Sequence, residues 1–384
     1  MSPLLLRRRD WAPQVREALN AELARAAALP EEEKRRFYAV FDFDNTCSVF
    51  DVEEQLLVHQ LRTLAIRIPP EQFFTCMSSL LSGSFEPIMR DAADAYAGLW
   101  AKYGPFGGEE LPRGTLRRVH RDPLWAEFAA KMRLVLDRIY NEGESLEASN
   151  LWILQLFTGM SWDEVYRMAR RSCAIYLRKP SRRVTWQSPE QLPSRCGPVT
   201  AQWLSGLSVT ENIRELWRAV SQNGLGLWVC SASCAPAICA AIDFFGLRPY
   251  VTGVLAMTMK EDADGLFLPE YDYGGCAFYP EADGSWRRGT VPTGTLTAFE
   301  GKATAIRNVL VPVYGAGPAL CFGDSVGDLA FSTSFPETRL MVCMSSYRIP
   351  ADTVPANPDE RFVRQGRDER GRRRFRASEE SIRI

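Results

Sequence analysis

Residues 39–46 read Ala-Val-Phe-Asp-Phe-Asp-Asn-Thr, an apolar run that closes on two aspartates, Asp42 and Asp44. Side chains two apart lie on one face of a strand, so both carboxyls start on the same side. An apolar run of this length suits a buried parallel strand, and the carboxyl end of such a strand is where open α/β sheets place their ligands. Two acids at that point suit a hard cation and a phosphate better than they suit packing. The octapeptide therefore predicts an α/β fold with a polar site at the end of an inner strand.

Three later segments supply what such a site lacks. Leu225-Gly226-Leu227-Trp228-Val229-Cys230-Ser231-Ala232-Ser233 is a second apolar run, followed by Pro236 and a helical pattern. Ser231, at a strand end ahead of a helix, can hydrogen-bond a phosphate, with helix N-terminal amides adding to the hold. Lys302, in Phe299-Glu300-Gly301-Lys302-Ala303, opens another helical pattern. Leu320-Cys321-Phe322-Gly323-Asp324 ends a third apolar run, with Asp328 four residues on. Taken singly, each piece is ordinary: a strand-end serine caps a helix, a lysine is solvated, a Gly-Asp pair makes a turn. The ordered set is far more specific than its parts.

That order resembles the haloacid dehalogenase superfamily of phosphohydrolases, over about residues 37–50 and 210–345. Val229-Cys230-Ser231-Ala232-Ser233 and Glu300-Gly301-Lys302 are similar to its phosphoserine and phosphorylcholine phosphatase branch. The resemblance implies a Rossmann-like parallel sheet core with a large, mostly helical cap inserted after the first strand. It implies a Mg²⁺-dependent phosphomonoesterase acting on a small phosphorylated metabolite through an aspartyl-phosphate. Asp42 would be the nucleophile, and Asp44 would protonate the leaving oxygen and then activate water. Asp44 must then hold a proton near neutrality, although a free Asp has a pKa of about 3.9; burial and a neighbouring like charge push that way. The implied Mg²⁺ ligands are Asp42, the backbone carbonyl of Asp44, and Asp324, with Asp328 orienting Lys302 or a metal-bound water. Ser231, Ala232 and Lys302 would hold the phosphate, and Thr46 would bond it or brace the loop. Dehalogenating relatives generally lack an acid at the position of Asp44, which favours phosphoester hydrolysis here. Phosphoryl transfer to an acceptor other than water, or a non-catalytic binding protein of the same fold, are the alternative readings.

Composition bounds the rest. The chain has 384 residues with a net charge of −1, which gives no electrostatic case for nucleic acid. No apolar run reaches the roughly 18–20 residues that would span a membrane. Leu4-Leu5-Leu6 precedes Arg7-Arg8-Arg9, the reverse of a secretory signal. The ten cysteines form no Cys-x-x-Cys pair and read as reduced and structural, in a cytoplasmic protein. With only His59 and His120, neither in a recognisable partner motif, a serine triad or a His-rich zinc site is disfavoured.

The expected organisation is an N-terminal helix on the core (1–36), a catalytic core (37–50 and 206–350), a helical cap (51–205) and a charged, solvated tail (351–384). Within the cap the pattern predicts helices from Val52 to Leu64, Pro70 to Leu81, Pro87 to Tyr103, Leu124 to Tyr140, Ala148 to Phe157 and Trp162 to Leu177. Residues 249–295 read as strands and turns. Asp51, Glu53 and Glu54 suit the first turn of a helix; one of them, with Glu54 favoured, could instead meet a cationic leaving group. Trp100, Trp125, Trp152, Trp162, Trp186 and Trp203 are helix-packing residues or, for two of them, part of a cation–π cage.

Overall fold

The computed structural model describes residues 2–142, 145–275, 277–344, 361–371 and 373–384. Its centre is an eight-stranded sheet. The strands are β1 (Tyr38–Phe41), β2 (Gly226–Cys234), β3 (Gly253–Met257), β4 (Ala277–Pro280), β5 (Trp286–Arg288), β6 (Leu320–Gly323), β7 (Leu340–Cys343) and β8 (Phe362–Arg364). They run in the order β5-β4-β3-β2-β1-β6-β7-β8. β1 pairs in parallel with β2, Val40 opposite Trp228, and with β6, Val40 opposite Cys321. The β2–β3, β6–β7 and β7–β8 pairs are also parallel, and only β4 and β5 extend the sheet antiparallel. The fold is therefore α/β with a mostly parallel sheet, as the sequence predicts.

Every residue of β1 is buried, because helices cover both faces of the sheet. Ala39 and Phe41 belong to one apolar cluster and Tyr38 and Val40 to a second, as strand alternation requires. Phe41 stacks on Phe322 of β6 at 4.0 Å between ring centroids. Fully burying one such ring contributes about 1.5–3 kcal/mol.

The insertion between β1 and β2 is largely helical. α1 (Val52–Thr63) follows the first motif directly; Asp51 caps it, its side chain accepting from Glu54 N at 2.8 Å. α2 (Pro70–Ser78), α3 (Glu86–Tyr103), α4 (Arg113–Val119), α5 (Pro123–Glu142) and α6 (Trp162–Leu177) come next. α6 starts at a reciprocal cap between Ser161 and Glu164. The apolar cluster on the Phe41 face continues through Leu56 and Leu57 into Phe73, Tyr96 and Phe128, so sheet and insertion share one core. Two features differ from expectation. α4 lies in a stretch rich in Arg that carries little apolar periodicity. Arg182–Gln187 and Thr200–Ser205 pair as an antiparallel hairpin within the insertion expected to be helical overall; alternate burial of Ala201, Trp203 and Ser205 is its two-residue period.

The solvated-tail expectation is corrected for residues 361–384; residues 351–360 lie outside the described residues. β8 adds a strand to the central sheet, and Gln365, Arg367 and Glu369 are buried. Phe375 meets Trp11 edge-on at 5.0 Å, and Gln365 accepts from Ala12 N at 2.8 Å. Charge-rich composition concealed this packing because the buried charges are paired with one another. The N-terminal helix Pro13–Ala28 also packs inward, burying Val15, Leu19, Leu23 and Ala26.

Candidate active site

The carboxyl ends of β1, β2 and β6 meet around a cavity of about 190 Å³ whose lining includes Asp42, Asp44, Ser231, Ala232, Lys302 and Asp324. β1 leads into Asp42 and Asp44; β2 carries Ser231 and Ala232; β6 leads into Asp324. Lys302 comes from α7 (Glu300–Val309). The residue before that helix, Phe299, holds φ at +47°, a conformation bulky residues rarely adopt.

Lys302 Nζ donates to Asp42 Oδ1 at 2.7 Å and to Asp328 Oδ1 at 2.6 Å. Thr46 Oγ1 lies 3.0 Å from Asp42 Oδ2 and 3.4 Å from Asp324 Oδ1. Thr46 does not line the cavity; it braces the two acids. Asp328 Oδ2 accepts from the backbone amides of Asp324 and Ser325 at 3.0 and 3.1 Å, tying the last motif into one turn. Burial disfavours the Lys302 ammonium, but Asp328 and Asp42 outweigh it and raise its pKa above the ordinary lysine value. Burial also pushes the Asp42 carboxyl up to about 8, with Lys302 opposing the shift and Asp328 and Asp324 adding to it.

Asp42, Asp324 and Asp328 offer carboxylate oxygens that all lie within 4.8 Å of one another. Three buried acids face one ammonium, so a further cation there would offset the repulsion that raises Asp42. An all-oxygen donor set of this kind fits a hard divalent cation such as Mg²⁺ and fits soft metals poorly.

Asp44 is held separately. Its Oδ1 accepts from Val52 N at 2.6 Å and its Oδ2 from Ser233 Oγ at 2.7 Å. Burial, then the charge of Asp51, raises the Asp44 pKa well above the ordinary value. The proton-holding state that an acid catalyst needs is therefore favoured by its surroundings.

Ser233 was not singled out from the sequence. β2 runs past Ser231 to Cys234, with an irregular register against β3 between Cys230 and Cys234. The Ser-x-Ser spacing is the same two-residue signal as Asp-x-Asp. Glu53 was placed only as one of three first-turn acids. It is buried, accepts from Cys234 N at 2.7 Å, and lines the cavity beside Asp51. Burial, then Asp51, raises its pKa well above the carboxylate range.

Glu54, the acid favoured from sequence, pairs with Arg133 and lines an adjoining cavity of about 440 Å³ that shares Asp51, Glu53 and Tyr140 with the first. Arg133 comes from α5, far along the chain, so sequence proximity could not reveal the pair. None of the six tryptophans lines either cavity. Trp186 packs against Trp125 and Trp203 at 5.8 and 5.7 Å, and Trp152 Nε1 donates to Met77 O, so these are packing residues. The aromatic rings at the site are Tyr140 and Phe299, 60% and 47% exposed.

No family model matches this sequence, and no curated protein matches it significantly. Among solved structures, a conserved protein of unknown function from Anaerococcus prevotii DSM 20548 superposes with a TM-score of 0.79 at 22% identity, covering 100% of both chains. That likeness establishes the fold alone. Weaker matches include cytosolic 5'-nucleotidase IIIB bound to cytidine, with a TM-score of 0.34 at 15% identity over 86% of this chain and 78% of that one. Another is a phosphoserine phosphohydrolase-like protein from Francisella tularensis subsp. tularensis SCHU S4, with a TM-score of 0.34 at 13% identity over 85% and 94%. No helix of the described residues is long and apolar enough to cross a membrane.

Proposed function

We propose that this chain is a Mg²⁺-dependent phosphomonoesterase of the haloacid dehalogenase type. The observation that carries the reading is the convergence of Asp42, Lys302, Asp324 and Asp328, from three separated segments, on one buried point. Asp42 and Asp324, with the backbone carbonyl of Asp44, would hold the Mg²⁺, whose charge would draw in the phosphate and offset charge developing on its oxygens.

A carboxylate oxygen of Asp42 bonds to phosphorus as the bond from phosphorus to the ester oxygen breaks. The proton on Asp44 passes to that leaving oxygen, and the alcohol departs. A water then gives a proton back to Asp44 and attacks phosphorus, breaking the acyl-phosphate bond. Inorganic phosphate leaves and the Asp42 carboxylate is restored. Lys302 and Ser231 hold the phosphate oxygens throughout, and the Lys302 charge stabilises the transition state.

Asp51 on the wall, with Tyr140 and Phe299 at the rim, supports a small substrate whose leaving group is a cation. A cation between a carboxylate and aromatic faces gains from both. The experiment is a screen of purified protein with Mg²⁺ against several dozen phosphorylated metabolites. Phosphate release from phosphorylcholine or phosphoserine, lost in Asp42→Asn, is the expected result. Equal turnover of uncharged sugar phosphates would overturn the cationic preference, and activity retained in Asp42→Asn would overturn the nucleophile.

A further inference from the structure

We propose that Arg367, near the end of the chain, is a positioning residue that clamps the turn following Asp44. It rests on the phosphomonoesterase reading only for its effect on turnover. Arg367 is 1% exposed. Its Nη1 donates to the backbone carbonyl of Asn45 and, at 3.2 Å, to that of Ser48. Its Nε and Nη2 donate to Glu369 Oε1, each at 3.2 Å, and Glu369 is equally buried. One edge of the planar guanidinium thus grips the turn while another is neutralised by its own carboxylate. A lysine ammonium, a point donor on a flexible stem, cannot reproduce that fork.

The gripped turn needs holding. Asn45 and Phe50 both sit in the left-handed region, at φ of +57° and +69°. Such conformations persist where the surroundings over-determine them. Between them, Ser48 and Val49 pair with Ser208 and Val209, the segment leading back to the sheet. Asp44 and Thr46 flank the clamped Asn45 carbonyl, so a shift there moves the proton donor and the brace of Asp42 together. Misplacement of about 1 Å at such a site costs on the order of 100-fold in rate. The clamp is anchored behind: Arg367 N donates to Ser381 Oγ at 3.1 Å, and Ile382 N donates to Arg367 O.

The test uses full-length Arg367→Met and Arg367→Lys. Two readouts are taken: amide hydrogen exchange across residues 44–50 with Val40 as reference, and kcat and KM for p-nitrophenyl phosphate with Mg²⁺. In Arg367→Met, exchange at 45–50 rises about tenfold or more while Val40 is unchanged. Its kcat falls about 10- to 100-fold with KM within about threefold, and Arg367→Lys recovers part of both. Unchanged exchange at 45–50 in a folded variant overturns the proposal. So does a uniform rise across the sheet with a lowered melting temperature, which marks a staple for the terminus alone. Should Arg367→Met not fold, Arg367→Lys and Glu369→Gln carry the same readouts. Should the wild-type protein lack phosphatase turnover, the functional reading fails, and exchange still decides the clamp.

Discussion

Lys302 Nζ stands 2.7 Å from Asp42 Oδ1, although 260 residues separate the two in sequence. The contact holds the Asp42 carboxyl in place and leaves the lysine charged. Lys302→Met removes both effects and leaves Asp42 and Asp328 facing each other without a cation. Turnover should fall about a thousandfold or more. The steady-state rate of phosphate release measures it; a loss under tenfold would contradict the assignment.

The three-carboxylate cluster predicts metal dependence. Chelation should abolish turnover, and Mg²⁺ should restore it. Calorimetry should show Mg²⁺ binding to the wild-type protein and at least about tenfold weaker binding to Asp324→Ala, since a lost oxygen ligand is not replaced by the remaining set. Equal affinity would place the ion elsewhere.

Ser233 bonds Asp44 and Asp51 lies on the cavity wall, so two substitutions separate chemistry from recognition. Ser233→Ala removes a hydrogen bond that lowers the Asp44 pKa, so that pKa should rise further and the alkaline limb of kcat should move to higher pH. Asp51→Asn should lower kcat/KM for a cationic phosphomonoester about tenfold relative to its effect on an uncharged one. A full pH–rate profile and a pair of substrates check the two claims independently.

A buried ion cluster in the helical insertion gives a pH signature for stability. Lys131 is fully buried and pairs with Asp91, 2.7 Å away, and with Glu127. Asp91 also accepts from the Arg195 and Cys196 amides. Burial opposes ionisation of Asp91, but Lys131 and these amides prevail and hold its pKa well below the usual carboxylate range. A depressed folded-state pKa contributes stability that is fully present above the unfolded value near 3.9 and is lost as pH falls below it. Asp91→Ala should cost about 3–5 kcal/mol at pH 7. The gap from wild type should narrow below about pH 4, and urea midpoints at pH 7 and pH 3 measure both.

Gly323 ends β6 one residue before Asp324. A Cβ there would lie 2.4 Å from Asp328 Cβ. Gly323→Ala should destabilise the fold by about 1–3 kcal/mol and lower turnover, because Asp328 can yield only by leaving Lys302. Denaturation and kcat on the same preparation report the two effects together.

The inner strands and their terminal residues were legible because a strand buried on both faces leaves an unbroken apolar run, and polar residues at its end stand out. Asp42, Asp44, Ser231 and Asp324 stand at or just past such ends, Lys302 follows by its place in the order, and all five line one cavity. Ser233 escaped because β2 continues past the residue that seemed to end it. Which way Glu53 and Glu54 face is a matter of helix phase: adjacent acids on α1 point to different neighbours, Cys234 for one and Arg133 for the other. Arg367 was hidden in a charge-rich stretch, since composition registers charge and not the carboxylate that neutralises it.

β1 is the first sheet strand in the chain, yet it lies between β2 and β6, with Ala39 opposite Leu320. During synthesis at about 5–20 residues per second, that partner emerges roughly 15–60 s after β1. Until then the ribosome carries an apolar segment with an unfilled edge, and the nascent chain must be shielded from pairing with its neighbours.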